Sequence, residues 1–399
     1  MRRLLLVLAT AMITGTGFAQ DQHWVATWAA SAQETAAAGA TIPSFKNQTV
    51  RMVVNTSIPG RTVRVELSNT FGKGRLKIGA AHLALHDRGS AIVPASDRAL
   101  TFSGSPSAVI PAGAVILSDP VDLAVPAVGD LVITLFLPED TGLPTQHARG
   151  LHTTYISGPG NFAGQTTFTA ASTSVSWYFI SGVHVLASAD TRAIVTFGDS
   201  ITDGSTSTVD ANAAWPSVLG RRLQAAGMKK VAVINHGIGG NRVVRDGTGM
   251  NALARFDRDV LAQPGVKYVV IMEGINDIGQ GTRDGAPADA SITAEELIAA
   301  YRQMATRAHE HGIQVIGATL TPYEGAAYYS AAGEGIRTAV NSWIRTSGAF
   351  DAYFDFDLVT RDPSNPKHIR SDFNITDNLH PNDTGYAAMA DSIDLAIFR

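Results

Sequence analysis

The sequence predicts an α/β protein of two unlike halves: a β-sandwich or jelly-roll-like domain, then a flavodoxin-like, three-layer α/β domain. Three observations carry this reading. From about Val50 to Leu186 apolar residues recur at every second position, the period of half-buried strands. From Ala193 onward, short apolar runs alternate with segments of helical period, the pattern of a parallel sheet covered on both faces. The composition changes at Ser188-Ala189-Asp190-Thr191, which divides the chain into residues 20–187 and 188–399 behind a leader at 1–19.

The leader has the build of a signal peptide. Arg2-Arg3 supplies the charged start, Leu4 to Ile13 the apolar segment, and Gly17-Phe18-Ala19 the small residues of a cleavage site, so processing is expected after Ala19. The apolar segment is too short to span a bilayer, and Gln20 stands where a lipid-anchored protein needs cysteine. The expectation is a secreted or periplasmic protein without stable membrane insertion. The 399 residues contain no cysteine, which excludes disulfides, thiolate nucleophiles and cysteine metal sites. A net charge of −4 gives no general attraction to nucleic acid.

In the first half, His23 to Trp28 reads as a strand of either domain, with Trp24 and Trp28 as packing residues. Val63, Val65 and Leu67 alternate with Arg64, Glu66 and Ser68, a strand with one wet face. Further strands are expected at 51–55, 76–85, 115–117, 131–137 and 177–185, separated by turns such as Pro59-Gly60 and Pro111-Ala112-Gly113. Such a domain walls a cleft or binds glycans.

In the second half, strands are expected at 193–197, 231–234, 268–272, 314–318 and 352–356. Trp215, Val218, Leu219 and Leu223 form one helical stripe, with Pro216 in its first turn and Gly227 after its end. Thr293 and Glu296 form a capping box, and Leu297, Tyr301, Met304 and Ala308 continue that helix to Gly312. A last helix after Pro381 carries Tyr386, Met389, Ile393 and Ile397.

Four short blocks fall on this frame: Gly198-Asp199-Ser200, Gly239-Gly240-Asn241, Gly274-Ile275-Asn276-Asp277, and Asp377-Asn378-Leu379-His380-Pro381. With these in chain order, the region from Ala193 to the carboxyl terminus resembles the SGNH (GDSL-type) hydrolases. The resemblance implies the flavodoxin-like fold and assigns Ser200, Gly240, Asn276 and His380 to the four namesake positions, with Asp377 completing a triad. Gly239 is the alternative glycine. Ile201 stands where many members have leucine.

The chemistry follows from the residue types. A serine hydroxyl needs a base to take its proton, and His380 is the candidate. Asp377, three residues earlier, can orient the imidazole. Ser200 and Gly240 backbone N–H groups and the Asn276 amide can stabilise an oxyanion, and Ser200, Gly240 and Asn276 follow the first three strands at one sheet edge. Asp277 is expected to order the loop after the third strand, and Glu273 to be a buried hydrogen-bonding residue. His236, Asn241 and Arg242 are candidates for the pocket or for ordinary loop roles, and Tyr323, Glu324, Tyr328 and Tyr329 for a substrate wall. His82 and His86, on a strand, lie too far apart to share a metal, and His309 and His311 do not share a helix face. The expected function is an exported serine esterase for short acyl esters, with acetyl esters of carbohydrates as the expected substrates, acting without cofactor or metal. Its partner is a small-molecule or carbohydrate ester. The alternatives are a lipolytic or aryl-ester hydrolase and a catalytically silent glycan-binding protein.

Overall fold

The computed structural model describes residues 22–35 and 44–399. The leader read at 1–19 lies outside the described residues. The first half is a β-rich antiparallel domain built, among the described residues, on two large sheets, with two further two-stranded sheets, Leu76–Ile78 with Ala108–Ile110 and Gln146–His147 with Trp177–Tyr178. One large sheet runs in the order Gln22–Ala29, Ile180–Ser188, Gly60–Ser68 and Val115–Leu117, with Val121–Val125 also paired to Gly60–Ser68. The other runs Ala170–Ser174, Thr154–Pro159, Gln48–Asn55, Asp130–Leu137, Ala80–Leu85 and Arg98–Ala99. Val63, Val65 and Leu67 from the first sheet share one apolar core with Val50, Met52, Ile133 and Leu135 from the second. Each fully buried aliphatic side chain there stabilises by about 1.5–3 kcal/mol.

Two expected strands are broken, for local reasons. The run 76–85 divides into Leu76–Ile78 and Ala80–Leu85, which join different sheets. A Cβ at the intervening Gly79 would stand 2.7 Å from the Phe136 ring, so only glycine allows this crossing. The run 177–185 breaks at Phe179, whose φ is 60°; Trp177–Tyr178 pairs with Gln146–His147, and Ile180–Ser188 returns to the first sheet.

The second half has a parallel sheet of five strands, Arg192–Gly198, Val231–Gly237, Val266–Met272, Gln314–Ala318 and Ala352–Phe354. Numbered in chain order, they lie 2-1-3-4-5. The pleat sends Val195, Phe197, Val269 and Ile271 to one face, against the helices Ala294–Glu310 and Ala331–Thr346. It sends Ile194, Val231, Val233 and Val270 to the other, against Trp215–Ala225 and Asp383–Asp391. The capping box at Thr293 and Glu296 is formed in both directions. The last two elements are shorter than the apolar pattern suggests. Asp355 ends the fifth strand by accepting from the Leu358 N–H and starting a short helix, Phe356–Thr360. Asp394 caps a separate 3₁₀ turn, Leu395–Phe398, after the Asp383–Asp391 helix.

The two halves share buried surface. The Gln22–Ala29 strand is an edge of the antiparallel domain, yet its Ala26 and Ala29 enter a core of the α/β domain. Reciprocally, Ala193 and Ala232 enter the core of the antiparallel domain. Trp28 stacks edge-on against Trp177, with 4.9 Å between ring centroids, and Arg64 lies 4.2 Å over Trp24.

Candidate active site

Strands one, two and three of the parallel sheet end in turns that carry the first three blocks, and the fourth block lies just before the Asp383–Asp391 helix. After Gly198, Asp199 caps a one-turn helix, Ser200–Asp203, by accepting from the Ile201 N–H at 2.9 Å. Ser200 is 5% exposed. Its Oγ lies 2.8 Å from His380 Nε2, and His380 Nδ1 lies 2.6 Å from Asp377 Oδ2. Because a carboxylate only accepts, Nδ1 carries hydrogen and Nε2 is free to accept from the Ser200 hydroxyl. The other carboxylate oxygen of Asp377 accepts from the Leu379 and His380 N–H groups, each at 2.9 Å. Burial alone would raise the Asp377 pKa, but these backbone donors and the imidazole hold it below the usual carboxylate range. Thr376 and Asn378, on either side, have φ of 84° and 58°, sparsely populated values that bend the loop so the carboxylate can face back to the histidine.

Ser200, His380, Gly239, Gly240 and Asn276 line one cavity of about 290 Å³. Asn276 Nδ2 donates one hydrogen to the Asn241 carbonyl at 3.0 Å, while its Oδ1 accepts from the Tyr328 hydroxyl at 3.2 Å. The amide is thereby fixed in orientation, and its second N–H hydrogen is left over. The two glycines differ. The Gly239 N–H donates to Asp203 Oδ2 at 3.0 Å, whereas the Gly240 N–H has no partner among the described residues. Gly240 has φ 79°, and a Cβ there would stand 2.8 Å from Thr248 Oγ1, so the turn excludes any other residue.

The supporting residues are buried. Asp277 accepts from the Val243 and Val244 N–H groups, so it orders the loop after the second strand rather than the third. Burial pushes its pKa up to about 6. Burial likewise pushes Asp199 up to about 7, with Asp277 and Asp203 adding to the rise, and raises Glu273 well above the carboxylate range. His236 is buried against Ser31, and burial lowers its pKa to about 4. Asn241 holds the Thr248 and Met250 carbonyls. Neither residue lines the cavity, and nor does Arg242, which donates to the Asp246 carbonyl. Of the four candidates for a wall, Tyr328 lines the cavity, Tyr323 is buried behind it, and Tyr329 donates to Glu324.

Several site residues have no motif to reveal them. Gln33, Ala148 and Arg149 reach the cavity from the antiparallel domain, held by paired backbone hydrogen bonds between Gln33 and Gln146. Arg255 is fully buried. Its guanidinium donates to the Gly198 carbonyl at 2.9 Å, the His236 carbonyl at 2.7 Å and Asn241 Oδ1 at 2.9 Å, and so ties the first two blocks together. It also reaches Ser31 Oγ and Asp259 Oδ2, both at 3.1 Å, and lies 4.0 Å over the Phe197 ring. Its spacing to Asp259 is that of a helix-surface ion pair, which gives no sign of this burial.

Of the histidine pairs, His82 bonds Asp97 and His309 bonds Asp351. Among the described residues, no group of three or more His, Asp or Glu side chains could hold a metal ion, and no helix is long and apolar enough to cross a membrane.

Residues 196–388 match the model of the GDSL-like Lipase/Acylhydrolase family. Similar solved structures include a GDSL-like lipase from Bacteroides thetaiotaomicron VPI-5482, 20% identical with a TM-score of 0.39, over 52% of this chain and 88% of that one. Another is LAE5, an alpha/beta hydrolase enzyme from the metagenome of Lake Arreo, Spain, 22% identical with a TM-score of 0.40, over 51% and 94%. A third is a variant of Axe2, an acetyl xylan esterase from Geobacillus stearothermophilus, 21% identical with a TM-score of 0.39, over 50% and 92%. No curated protein matches significantly. The chain thus carries a GDSL-like lipase/acylhydrolase domain over residues 196–388.

Proposed function

We propose that the protein is a serine esterase for short acyl esters, with an acetylated carbohydrate as natural substrate. The observation that carries this reading is the unbroken hydrogen-bonded run from Ser200 through His380 to Asp377, opening onto the 290 Å³ cavity. Ser200 Oγ attacks the ester carbonyl carbon while His380 Nε2 takes its proton. The carbonyl oxygen becomes an oxyanion that accepts from the Ser200 and Gly240 N–H groups and from the Asn276 amide. Gly240 is chosen over Gly239 because the Gly239 N–H is already used by Asp203. Collapse breaks the bond to the leaving alcohol, which receives the proton from His380. Water then repeats the sequence on the acyl-enzyme and releases the acid.

The cavity lining supports this substrate class. Gln33, Arg149, Thr248 and Tyr328 present polar groups around the catalytic atoms, which suits a hydroxyl-rich leaving group better than a long acyl chain. The antiparallel domain, taken as residues 20–187 with a jelly-roll-like build, serves as a wall of this cleft. Export follows from processing after Ala19, which the intact mass of protein from an exporting host tests.

The deciding experiment compares acetyl, butyryl and octanoyl p-nitrophenyl esters with wild type and Ser200→Ala. Fast acetyl hydrolysis, lost in the variant, is expected. Preference for octanoyl would overturn the short-acyl assignment, and equal rates in both proteins would remove Ser200 from the mechanism.

A further inference from the structure

The Gly239-Gly240 turn is held from the antiparallel domain. His147 lies on the short strand Gln146–His147, fully enclosed at the junction of the two halves. Its Nε2 is 2.9 Å from Asp203 Oδ1, and its Nδ1 is 3.0 Å from the Ser31 carbonyl. Both partners accept: a carbonyl oxygen on one side, a carboxylate on the other. A neutral imidazole has only one N–H, so with Asp203 ionised both contacts are hydrogen bonds only when His147 is an imidazolium. The remaining oxygen of Asp203 accepts from the Gly239 N–H at 3.0 Å. Next in the chain is Gly240, which lines the cavity and whose N–H has no partner among the described residues.

We propose that His147 is a positioning residue for the esterase reaction: as a buried imidazolium it orients Asp203, which holds the Gly239-Gly240 turn with the Gly240 N–H aimed at the substrate carbonyl oxygen. The inference rests on the Ser200 esterase reading. It gives the antiparallel domain a part in turnover that goes beyond walling the cleft.

The surroundings fit a charged histidine held by its carboxylate. Burial disfavours the charge, but Asp203 and the Ser31 carbonyl outweigh it and raise the pKa above the ordinary imidazole value. Arg255 acts in the opposite sense. The Trp177 ring stacks on the imidazole at 5.5 Å between centroids and 29° between planes, which fixes the ring's plane and adds no charge. Arg149, two residues on, is exposed and turned to Ser205 Oγ at 3.3 Å. Among the described residues, Asp203 is the one carboxylate within hydrogen-bond reach of this imidazole.

Two variants test the proposal with acetyl p-nitrophenyl ester as substrate. His147→Gln can keep at most one of the two contacts and leaves the Asp203 carboxylate buried without its cation. The expected result is a fall in kcat of about tenfold or more with KM within about twofold, since the displaced donor acts mainly on the oxyanion. Asp203→Asn is the conservative partner. Its amide oxygen can accept from Gly239, its amide N–H can donate to His147 Nε2, and a neutral His147 still donates to Ser31. Every contact survives without a titrating imidazolium, so activity within about threefold of wild type is expected; wild type is expected to lose kcat at alkaline pH as His147 gives up its proton, and Asp203→Asn to lack that decline. A kcat for His147→Gln within about twofold of wild type would overturn the proposal. If that variant fails to fold, an Asp203→Asn profile that keeps the wild-type alkaline decline overturns it instead. Failure of the esterase reading is separate, because wild type itself would then show no Ser200-dependent hydrolysis.

Discussion

Replacing Arg255 by methionine removes the charge and the donors while keeping most of the side-chain length. Among the described residues, Asn241 Oδ1 loses its donor, while the Gly198 carbonyl keeps the Ile238 N–H at 3.0 Å and the His236 carbonyl keeps the Ser31 hydroxyl at 3.2 Å; Glu273 Oε2, 3.5 Å away, also loses the guanidinium. Asp259 is not orphaned, because Arg258 holds it at 2.6 and 3.1 Å. A buried polar group left without a partner costs about 1–3 kcal/mol. One orphaned amide oxygen, two carbonyls that each lose a charged donor, and the guanidinium lost beside Glu273 come to about 3 kcal/mol, at the low end of the ~3–5 kcal/mol typical of a broken buried ion network. For a domain of this size that lowers the melting temperature by about 10 °C. The loss also reaches the chemistry, since the Asn241 carbonyl fixes the Asn276 amide and the Asn241 side chain is fixed by Arg255. Thermal unfolding followed by circular dichroism, with kcat/KM on the acetyl ester at 20 °C below the transition, reads both effects. Arg255→Lys keeps the charge but not the fork, so its melting temperature is expected between those of Met and wild type. A Met variant that melts within about 2 °C of wild type would refute the account of Arg255 as the clamp of the first two blocks.

Two more outcomes are expected. Asn276→Ala should lower kcat about 10²–10³-fold with a small change in KM, measured by steady-state hydrolysis; an unchanged kcat would exclude the amide as an oxyanion donor. Asp199→Asn removes an acid whose folded pKa, about 7, lies above its ordinary value of 3.8. Such a group binds its proton more tightly in the native state, so its contribution to stability is full below about pH 4 and is lost as pH rises toward 7. Between pH 5 and 7 the wild type should therefore lose stability relative to Asp199→Asn by about 1 kcal/mol per pH unit in urea titrations. A constant difference would show that Asp199 is ionised throughout.

The edge that carries the candidate site is legible in the sequence because its blocks sit directly after apolar strands, where sheet geometry alone sends them to one side. The Thr293 helix start was legible for the same reason: the signal is local and each residue meets a partner within one turn. What escaped depends on distant packing. Arg255 pairs with Asp259 at helix spacing and reads as a solvated face, yet helices and strands close over it. His147 reaches Asp203, and Gln33 and Arg149 reach the cavity beside Ser200, only because Gln22–Ala29 and the Gln146–His147 strand bring the antiparallel domain against the sheet edge. No spacing rule links residue 147 to residue 203. The strand breaks at Gly79 and Phe179 likewise follow from neighbours in space, not from the apolar alternation that runs through both.

The pairing of Gln22–Ala29 with Ile180–Ser188 has a consequence for the order of assembly. The amino-terminal strand is synthesised first, but its hydrogen-bonding partner follows it by about 150 residues, a long loop to close before contacts offset the entropy. Until then Val25 and Trp28, both core residues, have no sheet to enter. Once Ile180–Ser188 arrives, the next strand, Arg192–Gly198, follows within a few residues and meets a surface already formed by Ala26 and Ala29. The antiparallel domain can thus act as a template on which the parallel sheet grows outward from its first strand. Mutations that delay its closure would then reduce the yield of active enzyme without touching a catalytic residue.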